Sequence, residues 1–246
     1  MDPRKSTRSK VSPPTLLRSS ARSSNGESES AKTMQTTQPT MKPSPDELTE
    51  IKAKASEWAA ERLTDPKTVI LDLETTGLLS RDPNTEICQV AITDTRGRPL
   101  FSMLVKPARP MSDEVIGIHG ITNEQVQGQP IFPQIAKFLS FVLEGKQVVA
   151  YNADFDWKLM VHMYKKYEQE MPKIAGVSCA MDRYSEWCGE WNEKKQGWKW
   201  QKLPQLSGMP SHDAFADCIS TLKVMELMAK NADKMDITAD EISLDF

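Results

Sequence analysis

No apolar run in this chain of 246 residues approaches the roughly twenty residues needed to span a bilayer. Its start carries no apolar core of a secretory signal, so no membrane partner is expected. Cysteine is scarce: Cys88, Cys179, Cys188 and Cys218 are scattered, with no Cys-x-x-Cys pair. This argues against zinc and for buried thiols in a reducing compartment, which predicts a cytoplasmic protein. A global positive field is missing as well. The formal net charge is −3, and residues 1–25 hold six Lys or Arg against one acid while residues 231–246 hold five acids against one Lys. The body between them is acidic, so a polyanion could be held there only through bound cations and local basic patches.

What the body does contain is acid placed where a core is expected. The segment Val69-Ile-Leu-Asp-Leu-Glu-Thr-Thr-Gly77 sets Asp72 and Glu74 two positions apart on an otherwise apolar strand, so both carboxylates face one way. Two charges on that face need compensation, and one or more hard divalent cations, Mg2+ or Mn2+, provide it through oxygen ligands. An exposed face on an edge strand is the ordinary alternative for so short a motif. A second cluster, Tyr151-Asn-Ala-Asp-Phe-Asp156, lies between the apolar run 148–150 and a helical pattern from Trp157. Asp156 then sits in the first turn of a helix, where the dipole tolerates an anion. Capping is the ordinary role for Asp154 or Asp156. A third, His212-Asp-Ala-Phe-Ala-Asp217, opens the apolar helix 214–228. Five helical residues turn through about 500°, so His212 belongs on the entering loop and Asp217 on the helix.

Taken together these segments resemble the DEDD superfamily of 3′-to-5′ exonucleases, histidine subtype, which includes the epsilon subunit of bacterial DNA polymerase III and ribonuclease T. The family's Asp-x-Glu-Thr-Thr-Gly is matched by Asp72 to Gly77, its Asn-Ala-x-Phe-Asp by Asn152 to Asp156, and its His-x-Ala-x-x-Asp by His212, Ala214 and Asp217. His119-Gly-Ile-Thr122 looks like another recurring element, upstream of a helix expected to begin near Pro133. The resemblance implies that Asp72, Glu74, Asp156 and Asp217 hold two divalent ions, Mg2+ or Mn2+, that these clamp the terminal phosphodiester, and that His212 is the general base. Asp154 stays outside the ligand set. Two positions depart from the family pattern: Tyr151 where His is frequent, and Asp213 where a basic residue often follows the histidine. Asp213 adds negative charge on the route of the substrate phosphate.

The implied architecture is α/β, a ribonuclease-H-like fold with a mixed five-stranded sheet flanked by helices. The pattern predicts strands near 68–74, 86–94, 99–106, 147–151 and 176–181, with helices near 133–144 and 154–168 and a terminal helix. The exonuclease domain is expected over 66–230, with an N-terminal helix over 45–65 started by Ser44. Residues 1–44, rich in Ser, Thr, Pro, Lys and Arg, read as a disordered tail; a basic arm on DNA or an organelle transit peptide are the sharper alternatives. The acidic tail 231–246 ends in Glu241-Ile-Ser-Leu-Asp-Phe246. That segment resembles the hexapeptide Gln-Leu-x-Leu-x-Phe by which bacterial replication proteins dock on the sliding clamp, and an ordinary acidic tail is the alternative. Tyr184, Trp187 and Trp191, at i, i+3 and i+7, predict one packing stripe on a helix. The following loop, with Lys194, Lys195, Lys199 and Lys202, is the expected phosphate contact. His162 is taken as structural.

The expected function is metal-dependent 3′-5′ exonuclease action on single-stranded or frayed 3′ ends of DNA, releasing nucleoside monophosphates. An RNA exonuclease is the alternative, because the same site hydrolyses either polymer. A nonenzymatic clamp-binding adaptor is disfavoured, since all four acids and the histidine are present.

Overall fold

The structure, a computed structural model, describes residues 39, 41–210 and 212–230. Most of the expected 1–44 tail, and all of 231–246 with the clamp-type segment Glu241–Phe246, lie outside the described residues. The elements run α1 (Pro45–Thr64), β1 (Thr68–Thr75), β2 (Ile87–Asp94), β3 (Pro99–Leu104), α2 (Asp113–His119), α3 (Asn123–Gln127) and α4 (Phe132–Leu143). They continue β4 (Gln147–Ala150), α5 (Ala153–Lys166), β5 (Gly176–Cys179), α6 (Ala180–Cys188), β6 (Trp191–Asn192), β7 (Gly197–Trp198) and α7 (Ala214–Lys230).

The main sheet has the order β3-β2-β1-β4-β5. β2 pairs antiparallel with β1 and β3, while β4 pairs parallel with β1 and β5. This is the mixed five-stranded sheet, and it puts β1 in the middle. A middle strand is covered on both faces, which accounts for its apolar run and removes the edge-strand explanation of Asp72 and Glu74. β3 is an edge strand, opened by Pro99, whose missing N–H an edge tolerates.

Helices fix the two halves of the sheet to their neighbours. Ser44 and Glu47 form a capping box at the start of α1, with the Ser44 amide donating to Glu47 Oε2 at 2.8 Å and the Glu47 amide to Ser44 Oγ at 3.3 Å. Small buried residues on its inner face, Ala55, Ser56 and Ala59, let α1 lie close against α6 and α7. Cys218 seats α7 on the sheet: its thiol lies 3.6 Å from the Ile70 carbonyl and 3.5 Å from that of Ala91. α4 and α5 are joined through Tyr164, whose hydroxyl donates to the Ala136 carbonyl at 2.9 Å and whose ring meets Phe132 edge-on.

One buried acid serves structure and not the site. Glu86 is 2% exposed and is bonded by Lys166 Nζ, the Tyr167 hydroxyl and the Ala108 amide, each at 2.6 Å. Burial raises its proton affinity, but these donors outweigh that and its pKa ends below the usual carboxylate value. Glu86→Ala should therefore cost about 3 kcal/mol of unfolding free energy, because Lys166 and Tyr167 lose their partner. Urea unfolding checks this, and a loss under about 0.5 kcal/mol, the level of an ordinary surface substitution, would show that the network does not stabilise the fold.

The sequence pattern misplaces one aromatic. α6 stops at Cys188 because Gly189 adopts φ 71° and its amide closes the last turn on Ser185. Trp191 therefore leaves the helical stripe of Tyr184 and Trp187 and instead pairs across β6–β7 with Trp198, the rings edge-to-face at 5.4 Å. The start of the lysine-bearing loop expected after that stripe, with Lys194 and Lys195, is the turn of this hairpin. Between β3 and α4, the short helices α2 and α3 fill a stretch for which the sequence predicts no helix.

Candidate active site

β1 runs past β4: the two pair only over Thr68–Ile70, while β1 continues to Thr75. The carboxyl-end half of β1, with Asp72 and Glu74, therefore faces an opening in place of a neighbouring strand, as ligand sites do at strand ends in α/β sheets. The Thr-Thr-Gly that follows fixes the rim. Thr75 Oγ1 donates to the Gly77 carbonyl at 2.8 Å, and Thr76 is held to Glu86 by its amide and its hydroxyl, both at 2.9 Å. Gly77 has φ 151°, a backbone that a side chain would strain.

The other acids arrive from two helix starts. α5 begins directly after β4, and Asp156 lies in its first turn. Asp217 lies in the first turn of α7, where Asp213 Oδ1 accepts the amides of Phe215 and Ala216 at 3.1 and 3.0 Å. Gln89 on β2 locks that start in place: its Nε2 donates to Asp213 Oδ2 at 2.8 Å, and its Oε1 accepts from the Ala214 amide at 3.0 Å. The unexpected Asp213 is thus the cap of α7. His212 is exposed on the entering loop at φ 54°, a left-handed conformation that costs a non-glycine residue about 1–2 kcal/mol.

All five sequence-predicted site residues line one open cleft of 630 Å³: Asp72, Glu74, Asp156, His212 and Asp217. Ligand atoms of Glu74, His212 and Asp217 lie within 4.8 Å of one another. Asp154 does not line the cleft and pairs with Lys158 at 2.8 Å. Among the described residues, no lysine or arginine forms an ion pair with any of the four cleft carboxylates. Asp217 Oδ1 is buried with no hydrogen-bond partner among them.

The electrostatics follow from that crowding. Burial, then repulsion from Asp156 and Asp217, pushes Asp72 well above the usual carboxylate value. Glu74 is pushed to about 8 by burial and by Asp217, Asp156 and Asp213. Burial takes Asp156 to about 7 against hydrogen bonds from the backbone of Asp156 and Leu73, and it raises Asp217 although the nearby His212 pulls the other way. Oxygen donors of like charge, gathered with no Lys or Arg ion pair among the described residues, fit hard divalent cations.

Raised carboxyl pKa values have a sign in stability. Such a group is protonated in the folded chain and ionised in the unfolded one between the unfolded value near pH 4 and the folded value, so stability falls across that window. In excess chelator the unfolding free energy should decline from pH 5 to 8, through the values of Asp156 and Glu74. Added Mg2+ should recover it at pH 8 by binding the folded state. Denaturant titrations with and without metal check this; a flat or rising profile in chelator would contradict the crowding described.

The cleft also contains residues for which the sequence offers no chemical reason. His119, at the end of α2, accepts the Ile121 amide on Nδ1 at 3.0 Å, so its proton is on Nε2, 3.7 Å from Cys88 Sγ. Burial lowers its pKa, which keeps the ring neutral. Tyr151 lines the cleft and donates its hydroxyl to the Gln201 carbonyl at 3.0 Å. Leu78 and Ile118 stand exposed on the rim, at 42% and 55%. An apolar residue directly after the Thr-Thr-Gly loop, too exposed for a core, is the signal that Leu78 offers in retrospect.

The chain matches a family model described as Exonuclease (RNase_T) over residues 69–225. The exonuclease CP81 of Escherichia phage 186, itself uncharacterized, is 33% identical over 190 residues, which cover 72% of this chain and 95% of that one. The DNA polymerase III subunit epsilon of Pasteurella multocida is 30% identical over 105 residues, covering 40% of this chain and 42% of its own. This chain therefore spans nearly all of the phage protein but under half of the epsilon subunit. Among solved structures, the zinc-bound complex of E. coli ExoI with single-stranded DNA superposes with a TM-score of 0.53 at 16% identity, covering 68% of this chain and 41% of that one. That likeness is one of fold.

Proposed function

The chain belongs to the exonuclease family matched over residues 69–225, and from that membership we propose that it removes nucleoside monophosphates from single-stranded or frayed 3′ ends of DNA. In this reading Asp72, Glu74, Asp156 and Asp217 hold two divalent cations and His212 is the general base. The observation that carries it is the gathering of four carboxylates that form no ion pair among the described residues, and one exposed imidazole, in a single open cleft.

Bound Mg2+ or Mn2+ would supply charge neutralisation and Lewis-acid polarisation at the scissile phosphate. Four carboxylates balance two dications, which relieves the repulsion that raises their pKa values. His212 takes the proton of the attacking water, a task suited to imidazole near neutral pH. Leu78 and Ile118 offer the terminal base an apolar rim with no hydrogen-bond readout, so base specificity should be low. A DNA substrate is favoured by the epsilon-type relatives, which are DNA polymerase subunits. A cytoplasmic location suits the buried thiols of Cys88, Cys179 and Cys218.

Digestion of matched DNA and RNA oligomers, labelled at either end, tests the reading. Stepwise loss from the 3′ end with DNA preferred is expected; RNA digested faster would move the substrate class, and internal cleavage would overturn the exonuclease mode. A sliding clamp as partner is part of the same proposal through Glu241–Phe246. Removing residues 241–246 should abolish retention on immobilised clamp while oligomer digestion continues, and equal retention of both forms would exclude it.

A further inference from the structure

The β6–β7 hairpin stands at the edge of the cleft without belonging to it. Leu203 lines the cleft, and the Tyr151 hydroxyl, also in the cleft, grips the Gln201 carbonyl at 3.0 Å. Trp200 is three residues before Leu203, so the chain keeps the two within about 11 Å of each other. Trp198 anchors the hairpin, 4% exposed and packed edge-on against Trp191, while Trp200 is left 66% exposed. Lys195 Nζ lies 5.5 Å from the centre of the Trp200 ring. The acids of the hairpin are already engaged, Glu190 with Lys199 and Glu193 with Lys42. Lys194, Lys195 and Lys202 make no ion pair among the described residues. An exposed indole beside ammonium groups that form no ion pair among the described residues, three residues along the chain from the cleft-lining Leu203, matches the chemistry of an unpaired polynucleotide.

We infer that the β6–β7 hairpin is an accessory binding platform for the substrate strand, with Trp200 stacking on an unpaired base behind the scissile end and Lys194, Lys195 and Lys202 meeting its phosphates. The inference rests on the exonuclease reading above. It assigns the grip on long substrates to a surface separate from the carboxylates, and base stacking of this kind is indifferent to sequence.

The test compares a single-stranded oligothymidylate with the p-nitrophenyl ester of thymidine 5′-monophosphate, which is too short to reach the hairpin. Preference is read as the ratio of the two kcat/KM values. Trp200→Ala should lower that ratio about tenfold, within the range known for one stacked base, and Trp200→Phe should restore most of it. The combined change Lys194→Ala, Lys195→Ala and Lys202→Ala should flatten the salt dependence of KM for the oligomer, by about 0.7 in logarithmic slope per lost phosphate contact. If the unaltered protein cleaves both substrates and neither change moves the ratio or the slope, the platform is refuted and the exonuclease reading stands. If the unaltered protein cleaves neither substrate, the exonuclease reading fails and the platform falls with it.

Discussion

Asp72→Asn and Asp156→Asn should each lower phosphodiester hydrolysis by at least about a thousandfold, since a lost cation removes several kcal/mol of transition-state stabilisation. The fold should survive. Asp72 sits half-buried among like charges that raise its pKa, so a neutral amide of the same shape relieves repulsion in the metal-free protein. In chelator at pH 8 the Asn variants should therefore melt no lower than the unaltered chain, although they are inactive. Circular dichroism melts beside a digestion assay measure both effects. Asp154→Asn is the internal control, because that carboxylate pairs with Lys158 outside the cleft, and it should keep most of the activity. Digestion persisting in excess chelator would end the metal-dependent reading altogether.

His212→Ala should lower turnover by about a hundred- to ten-thousandfold, as loss of a general base does. Metal affinity measured by calorimetry should be largely kept. The backbone complicates this variant, because Ala at φ 54° carries a cost of its own. His212→Asn, which tolerates left-handed backbone better, separates a misplaced loop from a missing base. The ring nitrogen approaches Glu74 and Asp217 closely enough to act as a ligand. If calorimetry finds the affinity gone in both variants, His212 holds a cation and is not the base.

How much of this was legible in the sequence differs by length scale. The five main strands follow from apolar runs and turn residues, and β1 shows the alternation of Asp72 and Glu74 that a strand imposes. Convergence of Asp72 with Asp156 and Asp217 is a tertiary fact that no spacing encodes, and it came from the family resemblance. Trp191 was misplaced because an i, i+3, i+7 aromatic rhythm outweighed a stop signal, the glycine after Cys188. α2 and α3, of seven and five residues, are too short to show a helical period. Asp213 read as a charge in the path of the substrate, and its capping of α7 appears only once the loop is folded against Gln89.

The bond between Gln89 and the start of α7 has a consequence for how activity arises during folding. Gln89 stands opposite Glu74 in the β1–β2 ladder and grips Asp213 and Ala214 with both ends of its amide. One side chain of the second strand thereby measures off the gap between an acid of the first strand and Asp217 of the last described helix. Before α7 docks, the earlier carboxylates lack both Asp217 and His212. On the roles proposed for Asp217 and His212, hydrolysis should therefore begin only once α7 has closed on the sheet, and a chain folded short of that step should leave nucleic acid intact.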